Sequence, residues 1–100
     1  MTFEQLESQV IRWAIERGIY NFHDSTSQLL KAVSEIGELA DANLKDDEEA
    51  AADAIGDLVV CLINYCYLRN IELIDCLEKA HNQIKDRTGR ILPSGAFQKD

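Results

Sequence analysis

Apolar residues recur at three- and four-residue spacing along most of this chain, and no stretch alternates apolar and polar positions long enough to predict a strand. The expected fold class is all-α, with four helices. The first runs from about Phe3 to Arg17: Thr2 caps it with Gln5 three positions on, Leu6, Val10, Trp13 and Ala14 form its stripe, and Gly18 ends it. A linker, Ile19 to Asp24, turns the chain. The second helix opens at Ser25 or Thr26, with Ser25 and Gln28 at capping-box spacing. It places Leu29, Val33, Ile36, Ala40 and Leu44 on one face and stops near Lys45 and Asp46. The third begins in Asp47, Glu48 and Glu49, whose charge suits the positive end of a helix dipole, and reaches about Arg69, with Asn70 as its stop. The fourth covers roughly Glu72 to Arg87, with Ile74, Leu77 and Ile84 inward and Gly89 as terminator. The tail from Arg90 to Asp100 carries Pro93, Gly95 and a lone Phe97, and reads as an arm without regular structure.

The third helix departs from the amphipathic pattern, being apolar nearly all round from Leu58 to Leu68. Such a helix needs cover on several sides, more than three neighbours of this length supply. The predicted architecture is therefore a four-helix-type bundle completed by homo-oligomerisation. Gly37 and Gly56, isolated inside helices, are expected to mark close helix-helix approach.

Composition sharpens this picture in two ways. With 100 residues and 46% apolar side chains, the chain makes one domain, 1–100, with enough apolar material for a core. Its 18 acidic against 10 basic residues, a net charge of −8, argue against a nucleic-acid polymer or an anionic membrane as partner and favour metal cations. No basic stretch precedes an apolar run near Met1, and the longest uninterrupted apolar tract, Leu58 to Ile63, is too short to span a bilayer, so a cytoplasmic protein is expected. Cys61, Cys66 and Cys76 lack CxxC spacing and read as reduced core thiols.

Two pairs of acids carry the candidate chemistry. Glu35 and Glu38 leave one helix face about a turn apart, and Asp53 and Asp57 repeat the arrangement at four-residue spacing on the next helix. If the two helices form an antiparallel hairpin about Lys45 to Asp47, all four carboxylates face one small volume, where mutual repulsion is relieved by a hard divalent cation such as Mg2+. The competing reading is a solvated face, which suits Glu35 and Glu38, nearly opposite the Val33, Ile36 and Ala40 stripe, better than it suits Asp53 and Asp57. Lys31, one turn before Glu35, is either a surface ion-pair partner or a phosphate contact. Lys85, Arg87 and Arg90 suit a helix C-terminus or a polyanionic substrate. His23 and His81 lack ligand spacing and read as structural. Trp13 reads as core, or as a wall on which a nucleobase stacks. No nucleophile-base motif or phosphate-binding glycine loop is present.

Three segments taken together, Lys31-x3-Glu35-Ile36-Gly37-Glu38-Leu39-Ala40, Asp53-Ala54-Ile55-Gly56-Asp57-Leu58-Val59 and Lys85-Asp86-Arg87-x-Gly89-Arg90, resemble the compact MazG-like members of the all-α nucleoside triphosphate pyrophosphatases. The likeness extends from Trp13-Ala14-x-x-Arg17-Gly18 through Gln28-x-x-Lys31 to Gly95-x-Phe97-x-Lys99. It implies Mg2+-dependent cleavage of a (d)NTP between the α and β phosphates, to the monophosphate and pyrophosphate, with Mn2+ as a substitute. It further implies metal ligation by Glu35, Glu38 and Asp57, and substrate contacts from Trp13, Gln28, Lys31, Lys85 and Arg90; Asp53, on the same helix face, is expected to serve as the fourth ligand, and Glu35 is the carboxylate expected to take the water proton. The implied assembly is a homodimer or a dimer-of-dimers tetramer. Two positions differ from the family pattern: Ser34 stands where longer members double the first acid, and Ala54 stands where the first acid of ExxD falls, with Asp53 one residue earlier. A nucleotide- or metal-binding sensor of weakened activity, or a purely structural helical oligomer, are the alternatives.

Overall fold

The structure, a computed structural model, describes residues 1–100 as five helices and a small hairpin: α1 (Phe3–Glu16), α2 (Ile19–Phe22), α3 (Ser25–Leu44), α4 (Glu48–Leu68), α5 (Leu73–Ile84), β1 (Gly89–Ile91) and β2 (Phe97–Lys99). The four expected helices are present, with ends within a few residues of their predicted places. The linker is not a plain turn, because its first half closes into the one-turn α2. The tail is not irregular either: β1 and β2 pair antiparallel, Gly89 opposite Lys99 and Ile91 opposite Phe97. Gly89 lies in β1 rather than at a helix stop. A methyl group on it would collide with the Gln98 carbonyl, beneath the Phe97 ring, so glycine is required there.

Local chemistry sets the helix ends. Thr2 and Gln5 form the expected reciprocal capping box on α1. On α3 the cap is Asp24, not Ser25: its carboxylate accepts from the Ser27 N–H at 2.8 Å, which pulls its pKa below the ordinary value. The turn between α3 and α4 has only three residues, and Asp46 takes a positive φ of 54° in it. The Asp47 N–H donates to the Ala42 carbonyl and the Asp46 N–H to that of Asn43, the two bonds of a Schellman motif. Asp47 then caps α4 by accepting from Ala50 N–H at 3.0 Å. The same two-bond motif ends α4, with Asn70 at φ 56°. Both of these stops are enforced by backbone hydrogen bonds without glycine or proline, whereas α1 ends as expected at Gly18, at φ 71°.

The tight turn makes α3 and α4 an antiparallel pair, by far the most extensive contact in the chain, with α1 laid across α4 and α5 joined to it by Arg69–Glu72. Residues equidistant from Asp46 face one another, so Gln28 meets Asn64, and their side-chain amides hydrogen-bond at 3.4 Å. The face α3 turns to α4 is Gln28, Ala32, Glu35 and Ala42, small and polar residues at four- and three-residue spacing. The expected inward stripe points elsewhere: Leu29, Val33, Ile36 and Leu44 are all exposed, Leu44 by 83%. Alanines at Ala32, Ala42 and Ala54 allow the two backbones to approach, which larger apolar residues would prevent. Likewise α5 buries nothing: Leu77 and Ile84 stand open rather than inward, and Cys76, expected in the core with Cys61 and Cys66, is exposed while those two are buried. Gly37 and Gly56 face open space, so neither marks a close approach within the chain.

Two global measures reflect this openness. The chain exposes 7783 Å², against about 5,700 Å² for a folded monomer of its mass. Its radius of gyration is 16.5 Å, where a compact chain of this length has about 13 Å. By length and composition α4 is apolar enough to cross a membrane, in contrast to the six-residue tract noted above; it packs along α3 and supplies Asp57 and Asn64 to the seam between them.

Candidate nucleotide and metal site

The seam between α3 and α4 opens into two adjoining cavities. The first, about 210 Å³, is walled by Trp13, Gln28, Lys31, Glu35, Asp57 and Asn64, among others. The second, about 440 Å³ and more open, has Glu38, Asp53 and Asp57 on its wall, with Asp41 and Lys45 at its rim. Asp57 belongs to both. The hairpin register is the cause: Glu35 and Asp57 stand equidistant from Asp46, and the other acids lie one turn toward it.

Glu35 is the centre of the arrangement. It is 8% exposed, and its Oε2 is the one buried side-chain oxygen or nitrogen without a hydrogen-bond partner. A hydrogen bond shared with Glu38, burial, and the negative charges of Glu38 and Asp57 hold its carboxyl above the usual carboxylate range, with Lys31 opposing them. The solvated-face reading thus fails for Glu35, while Glu38, Asp53 and Asp57 are exposed. Beside it, burial also pushes the Cys61 thiol up, so this cysteine is no activated nucleophile.

Ala54 is 3% exposed and faces the seam, so the position that carries an acid in the ExxD pattern directs only a methyl group at α3. Asp53, one residue earlier, reaches the second cavity instead. No three acid, His or Cys side chains converge into a ready ligand set. The donors nevertheless suit a hard divalent cation, because all are carboxylate oxygens and the partnerless Glu35 Oε2 lacks the positive charge a cation supplies. Glu38, Asp53 and Asp57, all exposed, line the adjoining cavity.

Trp13 is 46% exposed on the walls of the first cavity and of an apolar one formed with Leu6 and Val10, so it is not a core residue. His23, Ile19 and Cys61 also reach the first cavity. Lys85 and Arg90 line neither; Arg90 pairs with Gln98 at 3.2 Å on the exposed hairpin. Sequence reasoning missed Asn64 as a site residue, and Tyr20, which lines neither cavity but donates to Asn64 at 2.8 Å. For Asn64 a signal existed, since it is the one amide in the apolar run from Leu58 to Leu68; Tyr20 sits in the linker and gave none.

No family model matches the chain, and no curated protein does. Among solved structures, the cyanophage S-2L MazG-like pyrophosphohydrolase, bound to dGDP and three catalytic Mn2+ ions per active site, superposes with a TM-score of 0.67 over 100% of this chain and 98% of its own, at 14% identity. At that identity the likeness is one of fold: the chain shares the all-α fold of a MazG-like pyrophosphohydrolase.

Proposed function

We propose that the chain is a divalent-metal-dependent nucleoside triphosphate pyrophosphohydrolase that cleaves (d)NTPs to (d)NMP and pyrophosphate in nucleotide-pool control. The observation that carries this reading is the buried, partnerless Glu35 oxygen, set opposite Asp57 and one turn from Lys31 in a fold shared with a pyrophosphohydrolase. Glu35, Glu38, Asp53 and Asp57 are the residues that would hold Mg2+ or Mn2+. When bound, the metal supplies charge neutralisation of the triphosphate and acidifies a water. The first cavity falls below the roughly 300–1,000 Å³ of whole-ligand pockets, so it takes the base, with Trp13 as stacking wall. Lys31 neutralises phosphate oxygens at the cavity mouth. A water oxygen bonds to phosphorus in line with the departing group, the α–β bridging P–O bond breaks, and pyrophosphate leaves with the electron pair. Glu35, buried opposite Asp57 and one turn from Lys31, takes the water proton.

The functional form is a homo-oligomer, a dimer or a dimer of dimers, located in the cytoplasm. The excess exposed area over a compact monomer, roughly 2,000 Å² per chain, matches an obligate self-interface. Its chemistry fits too: the outward stripes of α3 and α5 are Leu and Ile rather than charge. In such an assembly Lys85 and Arg90 serve the site of the neighbouring copy. A second reading, binding without turnover, is favoured by Ala54, which leaves the ligand set one acid short on the buried side.

Pyrophosphate release from a panel of NTPs and dNTPs, with Mg2+, Mn2+ or EDTA, tests both. Metal-dependent release supports the enzyme. Binding without release supports the sensor, and neither, from an associated and folded sample, leaves the structural oligomer.

A further inference from the structure

Beneath the first cavity lies a chain of three polar side chains that metal and phosphate binding leave unexplained. The Tyr20 hydroxyl donates to Asn64 Oδ1 at 2.8 Å, and Asn64 Nδ2 donates to Gln28 Oε1 at 3.4 Å. Gln28 and Asn64 are each 3% exposed, and both line the cavity. Burying two primary amides is costly unless they are satisfied, and satisfying them here consumes both carbonyls. What remains is the Gln28 NH2 group, the end of the chain.

An amide pair alone has no fixed direction, because flipping both groups exchanges every donor for an acceptor. Tyr20 removes that freedom. In the flipped arrangement Asn64 would donate to the phenol oxygen, and the phenol proton would lose the only partner it has. Its ring is held by stacking on Tyr67, with centroids 4.6 Å apart at 22°. Burial and Tyr67 push its pKa up to about 12, so the hydroxyl keeps its proton at neutral pH.

We propose that Tyr20 is a positioning residue for base selection: by fixing the direction of the Tyr20–Asn64–Gln28 chain it turns Gln28 into a donor toward the cavity, which favours nucleotides whose base presents a carbonyl edge over those presenting an amino group. The inference rests on the nucleotide-binding part of the function proposed above. An amino edge meets the Gln28 NH2 donor to donor, and a buried donor left unpaired is what makes such discrimination strong.

The test compares dUTP with dCTP, which differ at a carbonyl against an amino group, in wild type, Tyr20→Phe and Asn64→Asp. Selectivity is read twice, by equilibrium binding of the α,β-imido analogues and by pyrophosphate release. Wild type is expected to prefer the dUTP form, and Tyr20→Phe to narrow the ratio by about tenfold, the worth of one hydrogen bond, with the change in KM rather than kcat. Asn64→Asp still accepts from Tyr20 but has nothing to donate, so Gln28 must donate to it and show its carbonyl to the cavity. The preference should then reverse toward the dCTP form. Equal losses for both nucleotides in Tyr20→Phe, or no reversal in a folded Asn64→Asp, overturn the proposal while leaving any turnover intact. Selective binding without release overturns the enzyme reading and supports the proposal; no binding by wild type overturns both.

Discussion

The α3–α4 pair and the region formed by α5 with the C-terminal hairpin are built on opposite logics. Between α3 and α4 the buried surface is small and polar, with Gln28, Glu35 and Asn64 enclosed among alanines and cysteines. On α5 the sequence is strongly amphipathic, yet Leu77 and Ile84 stand in solvent and nothing is buried. Ordinary domains bury their apolar stripes and expose their acids. This chain instead encloses polar side chains and presents its apolar stripes outward, the arrangement expected of the self-associating subunit proposed above.

Removing a seam carboxylate is the sharpest way to break that contrast. Glu35→Gln and Asp57→Asn are expected to lower turnover by more than the roughly 10–100-fold that losing a group supporting a metal ligand costs, with helix content unchanged. Glu35→Gln carries a second signature. Because its buried oxygen lacks a partner, replacing the carboxyl by an amide should leave the metal-free melting temperature unchanged or raised. Wild type, in contrast, should gain stability with Mg2+ or Mn2+, by about 2.7 kcal/mol at a hundredfold excess over Kd, and the variant should lose that gain. A metal-insensitive wild type would remove the seam from metal binding.

The outward stripes supply the next largest effect. Leu77→Asp on α5 or Val33→Asp on α3 is expected to convert an associated species to one sedimenting at the chain mass of 11.3 kDa. Activity should fall with association, because the first cavity encloses only part of a nucleotide. A variant that stays associated would place the interface elsewhere.

The two regions also differ in how far the sequence disclosed them. Helix boundaries were legible because caps and stops are local: Thr2 with Gln5, Asp47 and Asn70 act within a turn of the residues they govern. The face α3 turns to α4 was not. Leu29, Val33 and Ile36 repeat at helical spacing, and so do Gln28, Ala32 and Glu35, one residue out of phase. Periodicity reports that a stripe exists, not which neighbour it meets. Only the tight turn at Asp46 and the Gln28–Asn64 bond decide that, and both are tertiary facts. The same register shows why Glu35 was legible only in part: its spacing to Glu38 was visible, its burial opposite Asp57 was not. Strands of three residues fall below any alternation signal, so the C-terminal hairpin was read as an irregular arm.

That hairpin offers a weaker perturbation. Gly89→Ala forces a methyl group against the Gln98 carbonyl and should unpair β1 from β2 while sparing the helices. Faster tryptic cleavage after Arg90, with unchanged circular dichroism, is the expected outcome. If Arg90 serves a neighbouring copy, KM should rise as well; an unchanged KM would confine the arm to a structural part.

The smallest expected effect belongs to α1, the element that touches both logics, since it lies on α4 and carries Trp13 to the cavity wall. Thr2→Ala removes the hydroxyl that accepts from Gln5 N–H at 3.1 Å and leaves only the reciprocal bond from the backbone N–H of residue 2 to Gln5 Oε1, at 2.9 Å. Loss of such a cap costs about 1 kcal/mol, read as a lower urea midpoint at unchanged slope. Trp13 lies three turns further along, next to the fully buried Ala14, so fraying at Thr2 should leave nucleotide KM unaltered. A raised KM would mean that the position of Trp13 depends on the whole of α1 rather than on its contact with α4, and that base stacking is coupled to the end of the helix furthest from the site.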